Sequence, residues 1–145
     1  MAELNVLPNV LALVVAFLKA DPDVAALVGS RIEAVNLTTE TRPCVRVTRY
    51  GGMPAVGGAW QPAPILLDTA NLQIDVWGRT NKEAGDTAAL LRAALGQRLP
   101  GTHNVAGITG TVTRVQFGTY ADDPDDVYDP PWPRVRFDTT ITYKP

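Results

Sequence analysis

From Ala70 to Trp77 the chain alternates without a slip. Ala70, Leu72, Ile74 and Val76 share one parity, and Asn71, Gln73, Asp75 and Trp77 the other. A period of two specifies a strand buried on one face only. A sheet built around such a strand needs helices over its apolar side and leaves the polar side to water or to another surface. The residues that follow supply one of those helices. Gly78 ends the strand, Thr80 can cap a helix, and Glu83 stands at the reciprocal position of a capping box. Ala84, Ala88, Leu91, Leu95 and Leu99 then recur as an inward stripe, with Thr87, Leu90 and Ala94 alongside. The spacing predicts a helix through Leu99, closed by Pro100-Gly101.

A second long helix is predicted near the start of the chain. Leu7, Val10, Leu11, Val14, Phe17 and Leu18 recur at helical spacing, and Pro8 fits the first turn. Leu13 and Val15 widen the apolar surface, so this helix is expected to be buried on more than one side. The apolar stretch Val10–Leu18 is far short of the roughly 20 residues that cross a bilayer. With Glu3 as the only charged side chain before it, it does not resemble a signal peptide either. Asp21-Pro22 stops it and starts a short helix to Val28, with aspartate as N-cap, proline at the first position and Gly29 as the stop.

Strands are predicted at Ile32–Asn36 and Cys44–Tyr50, across Val105–Tyr120, and from Arg134 to Tyr143. In the third, Ile108 and Val112 fall on one parity and Val115 and Phe117 on the other. That implies a bulge near Thr113 or a strand buried on both faces. Gly51–Asp68 has neither helical period nor strand character, and its apolar members (among them Met53, Trp60, Ile65 and Leu66) argue for a loop that orders against something. Ala121–Pro133 carries five aspartates and four prolines and reads as irregular. The sum is an α+β fold in a single domain over residues 1–145. It has a four- to five-stranded, mostly antiparallel sheet, two main helices packed on one face, and long inter-strand loops. The opposite face would carry Arg46, Asn71, Gln73, Asp75, Arg134 and Arg136, wet or covered by another subunit.

Little in the chain points to chemistry. Ser30, His103 and Cys44 are the sole residues of their kinds, so a Ser–His or Cys–His pair would need two of them to meet. Ser30 lies where a helix ends, Cys44 begins a strand, and His103 sits in a Pro-Gly-Thr-His-Asn segment that reads as a surface turn. Gly51-Gly52 and Gly57-Gly58 lack the Lys-Ser/Thr and the helix start of a phosphate loop. A net charge of −2 gives no sign of a dedicated nucleic-acid binder. No catalytic residue, cofactor or metal ligand set is expected. The run Asp122, Asp123, Asp125, Asp126 admits three readings: a divalent-cation site, a solvated loop, or a loop docked on arginines of a neighbouring copy. Trp60, Trp77 and Trp132 fall in a long loop, on the polar parity of a strand, and in another loop. Aromatics so placed either pack loops over a sheet edge or anchor an interface. These tryptophans, Arg46, Arg134, Arg136 and the four aspartates are the candidate interface residues.

The order of parts resembles the tail terminator (tail completion) proteins of long-tailed bacteriophages. The resemblance spans nearly the whole chain. It rests on Asp21-Pro22 followed by Val24-Ala25-Ala26-Leu27-Val28-Gly29, on the strand–Trp77-Gly78–helix junction, on Ala88-Ala89-Leu90-Leu91-Arg92-Ala93-Ala94-Leu95, and on Pro133-Arg134-Val135-Arg136-Phe137 after an Asp/Pro loop. It implies a homo-hexameric ring that caps the tail tube, terminates polymerisation and meets the head–tail connector. The expected partners are copies of the chain itself, the tail tube protein and a connector or neck protein, with DNA only passing through the lumen and no membrane. The expected place is the tail–neck junction of a virion assembled in the host cytoplasm. A head-completion or neck joining protein, or another minor tail protein, is the alternative.

Overall fold

The computed structural model describes residues 6–52 and 67–145, and the backbone of 54–56. Trp60 and most of the apolar members of the Gly51–Asp68 stretch lie outside the described residues, and with them the expectation that the stretch orders against something.

Among the described residues three helices form where the sequence places them. Helix α1 is Val10–Ala20, and Asn9 caps it by accepting a hydrogen bond from the Ala12 amide at 3.2 Å. Pro8 therefore precedes the cap, one step outside the first turn in which it was expected. Helix α2 is Pro22–Val28, capped by Asp21 Oδ1, which accepts from the amides of Asp23 and Val24 at 3.0 and 3.2 Å. Gly29 ends it with φ 57°, the left-handed conformation that glycine adopts without a Cβ clash. Helix α3 is Asn81–Gln97, two residues shorter than the stripe predicts. Thr80 caps it by accepting from the Glu83 amide at 3.1 Å. The Glu83 carboxylate accepts from the Arg79 amide at 2.8 Å, so the reciprocal half of the capping box is shifted by one residue.

Among the described residues seven strands form one sheet, more than the four to five expected. They are β1 (Ile32–Ala34), β2 (Cys44–Gly51), β3 (Pro54–Val56), β4 (Leu67–Trp77), β5 (Gly101–Val105), β6 (Ile108–Asp122) and β7 (Arg134–Lys144). The order is β1-β2-β4-β7-β6-β5, with β3 pairing β4 beyond the end of β2. Among these described strands, β1 and β2 run parallel and the other pairs antiparallel. The sequence reading missed β3 and β5. The segment holding His103 is the edge strand β5 and not a surface turn. Val105 pairs Ile108 across Ala106-Gly107, whose φ values of 51° and 77° make the two-residue hairpin turn that suits the twist of antiparallel strands. His103 is half-buried, with Nε2 2.5 Å from the Leu99 carbonyl and its ring edge-on to Phe17. The acidic segment is also less irregular than predicted: β6 runs on through Asp122, and Asp125 bridges Trp132.

The parity change in β6 is a bulge. Register slips between Val112 and Arg114, so Val112 faces Tyr143 and Val115 faces Ile141 on the same side. A second slip between Phe117 and Tyr120 keeps Tyr120 opposite Phe137. All three helices pack on this side. Leu13, Val14 and Leu18 of α1, Val24 and Val28 of α2, and Ala88, Leu91 and Leu95 of α3 join Val45, Val47, Leu72, Ile74, Val76, Val135, Phe137 and Ile141 in one buried cluster. Gly78 makes the turn from sheet to helix layer possible, since a Cβ there would lie 2.5 Å from the Ala84 amide nitrogen.

Candidate functional site

The face of the sheet away from the helices is polar along β2, β4 and β7. Register aligns its charges in rows, with Arg46, Asp75 and Arg136 side by side on three neighbouring strands and Trp77 opposite Arg134. Opposite charges placed directly across a strand pair attract at short range. Arg46 donates Nε and Nη2 to Asp75 Oδ2 at 3.0 and 2.7 Å, and Arg136 donates Nε to Oδ1 at 2.6 Å. The Asp75 side chain has no exposure. A buried carboxylate is tolerable here because both oxygens accept charged hydrogen bonds.

Two guanidiniums against one carboxylate leave an excess of positive charge, and the acidic segment supplies the balance. Residues 121–133 fold back over the end of the polar face as a strap. Asp123 Oδ2 accepts from Arg136 Nη1 and Arg134 Nη2, each at 3.0 Å, and Arg134 Nε donates to the Asp123 carbonyl at 2.8 Å. The hydrogen bond from Arg136 holds the Asp123 carboxyl below its ordinary pKa against the opposing effect of burial. Burial works against the Arg136 charge, but its bonds to Asp123 and Asp75 outweigh it and raise the pKa. Deeper in, Asp125 Oδ2 accepts from Trp77 Nε1 at 2.9 Å and lies 3.6 Å from Arg134 Nη1. The Trp77 ring has Arg46 and Arg134 at 5.1 and 5.8 Å from its centroid. At the tip Tyr128 stacks on Trp132 at 3.6 Å, and Arg42 lies 4.2 Å from the Trp132 ring centroid.

The structure therefore brings Arg46, Arg134, Arg136, Trp77, Trp132, Asp123 and Asp125 into one cluster. The acidic loop reaches arginines of its own chain, where the sequence reading considered those of a neighbouring copy. Asp122 and Asp126 are exposed beside the cluster. Sequence reasoning missed Asp75 at the centre, Gln73, which accepts from Arg136 Nη2 at 3.2 Å, and Arg42. Asp75 and Gln73 were legible only as residues of the polar face, because the partner of each depends on strand register. Arg42 carried no signal.

Elsewhere the chemistry is sparse. Cys44 is buried and burial pushes its thiol up to about 11, far from a reactive thiolate. Among the described residues no three His, Cys, Asp or Glu side chains cluster as metal ligands. None of the described helices is long and apolar enough to cross a membrane.

Comparison with known proteins adds a family. The model of the family described as Tail completion protein gp17 matches residues 12–130. No curated protein matches. Among solved structures, a chain from "Virion of native gene transfer agent (GTA) particle" is 16% identical, with 91% of this chain and 92% of that chain covered and a TM-score of 0.58. At that identity the likeness is one of fold. A second solved chain is 15% identical over 88% of this chain and 84% of its own, with a TM-score of 0.47.

Proposed function

Because this chain belongs to the Tail completion protein gp17 family and is a structural component of phage tails, we propose that it is the tail terminator, a ring of identical subunits, six in number, that caps the tail tube. In this reading residues 1–145 act as one unit that works by complementary surfaces. One ring face matches the end of the tube, and the other fails to reproduce that end, so addition stops for want of a template. The second face then meets the connector or neck protein, placing the ring at the tail–neck junction after assembly in the host cytoplasm. DNA passes through the lumen. A closed ring of one kind of subunit needs two different patches on each copy, one for each neighbour.

The family match carries this reading. The site agrees with it in kind. Salt bridges fix the strap as a shaped, rigid surface, and the chemistry that surrounds it suits recognition better than turnover. The test is deletion of the gene from its phage genome, with tail length measured by electron microscopy. Long, polydisperse tubes without heads are expected. Tails of uniform length that stay detached would instead give the protein a joining role, and normal virions would refute both.

A further inference from the structure

We propose that Arg92, seated against Phe117 and Tyr120 at the open edge of β6, anchors a contact between copies and receives a carboxylate from the strap of the adjacent copy. This names the two patches of the ring and rests on the ring reading above.

Arg92 lies on α3, half-buried, with its guanidinium carbon 5.0 Å from the Phe117 ring centroid and 5.1 Å from that of Tyr120. Two aromatic rings hold the cation in place. Its donors are not satisfied: Nε is buried with no hydrogen-bond partner, and Arg92 forms no ion pair among the described residues. A buried N–H left unpaired costs free energy, so a guanidinium placed this way favours an acceptor from outside the chain. The positions beside it on α3, Ala88, Ala89, Leu95 and Gly96, carry no charge. Asp122, two residues past Tyr120 on β6, makes no ion pair with it. The surroundings suit a protein partner. β5 pairs β6 only as far as Val112, so from Arg114 to Asp122 the side of β6 away from β7 pairs no described strand. Open edges of this kind are ordinarily covered. Tyr120 is 42% exposed there. Arginine and tyrosine are among the residues that most often anchor protein contacts, and a guanidinium takes a carboxylate bidentately.

The strap offers the carboxylate. It leaves β6 and crosses the sheet: Asp123 meets Arg134 and Arg136 of β7, Asp125 meets Trp77 of β4, and Trp132 meets Arg42 just ahead of β2. In the strand order β2-β4-β7-β6 its tip therefore ends on the opposite side of the sheet from Arg92. Asp126 and Asp129 at the tip are exposed, and neither forms an ion pair among the described residues. Arg42 is engaged with the Trp132 ring and the Gly78 carbonyl, and two carboxylates against this one guanidinium leave the tip negative. The tip is also held in place, since Asp125 and Trp132 exchange backbone hydrogen bonds of 2.9 and 3.1 Å and Tyr128 stacks on Trp132. A segment presented rigidly loses little entropy when it docks. The unpaired cation and the unpaired carboxylates thus lie on opposite sides of one chain, which cannot join them, whereas copies set side by side can. Two different patches that meet in this way make a head-to-tail contact.

The experiment begins with sedimentation of the unaltered chain to establish its oligomeric state. Arg92→Met keeps an unbranched stem over the rings and removes the charge. The proposal expects it to weaken self-association about ten- to a hundredfold, with the circular dichroism of a folded chain. Arg92→Glu, and separately Asp126→Lys with Asp129→Lys, should each weaken assembly by setting like charges against each other. All three reversals in one chain should restore it. If Arg92→Glu fails to fold, Arg92→Met and the aspartate reversals carry the test, and both must weaken assembly. Oligomers that tolerate Arg92→Met or the aspartate reversals, or folded charge reversals that fail to relieve one another, would overturn the contact and leave the ring standing. A chain that stays monomeric at every concentration would overturn both.

Discussion

Replacing Asp75 by asparagine tests whether the polar face is held by charge or merely lined with it. The substitution keeps shape and one acceptor oxygen but removes the negative charge from a site with no exposure. Arg46 then has no carboxylate partner among the described residues, while Arg136 keeps Asp123 at 3.0 Å and Gln73 at 3.2 Å. Removing one member of a fully buried ion pair costs about 3–5 kcal/mol. The Arg46 and Arg136 side chains are 27% and 31% exposed, so water screens part of what is left. A loss of about 2–3 kcal/mol follows once that screening and the retained oxygen are allowed for. For a chain of this size it corresponds to a drop in Tm of about 5–10 °C. Thermal and urea unfolding followed by circular dichroism would measure it. The control is Asp123→Asn, whose side chain is 44% exposed and should cost distinctly less. A drop for Asp75→Asn no larger than the control's would refute the reasoning. So would a double-mutant cycle with Arg46→Met showing coupling below about 0.5 kcal/mol.

Gly78→Ala should destabilise by about 1–3 kcal/mol, because the new Cβ meets the Ala84 and Thr80 backbone at 2.5 and 2.8 Å; an unchanged Tm would contradict that close approach. Asp21→Ala removes the α2 cap and the partner of Arg98 Nη1 at 2.9 Å, and the lost cap alone should cost about 1 kcal/mol in urea unfolding. Cys44 should react with a thiol reagent at pH 8 only as fast as the chain opens, and fast labelling of native protein would argue against its burial. The Asp123 carboxyl is depressed in the folded chain, so its contribution is complete above its ordinary value of 3.8 and disappears as pH falls through the lower folded value. Limited proteolysis should accordingly find the strap opening in strong acid, and opening in Asp123→Asn should lose that dependence.

The helices were legible because their signals are local. Asp21-Pro22 and Thr80 cap where their side chains permit, and a 3.6-residue stripe does not depend on what it packs against. The central strand was legible for a similar reason, since alternation from Ala70 to Trp77 specifies a face without specifying a partner. The missed strands had no such pattern. Pro54–Val56 is three residues long and pairs only where β4 outruns β2. Gly101–Val105 carries Gly, Thr, His and Asn, which read as a turn, and becomes a strand because Ala106-Gly107 folds it back on β6. The bulge at Thr113 lay between these cases: a parity switch announces it, but only pairing with β7 decides against a strand buried on both faces.

The site divides along the same line. Composition marked the tryptophans, arginines and aspartates as unusual, but not which of them meet. Arg46, Asp75 and Arg136 are far apart in the chain and adjacent only through the register of β2, β4 and β7. The strap is a consequence of that row. Three strands place two arginines around one buried carboxylate, the leftover positive charge needs an anion, and the next loop out of β6 is the acidic one. Its aspartates therefore divide by role. Asp123 and Asp125 turn inward to satisfy arginines and Trp77, while Asp122, Asp126 and Asp129 stay exposed. A loop of five aspartates without arginines beneath it would repel itself into solvent. Here the inward pair holds the outward residues still, so charges that would otherwise be diffuse become a fixed pattern beside Val127. A fixed pattern of this kind can discriminate between surfaces, because like charges in the wrong register repel as firmly as opposite charges in the right one attract.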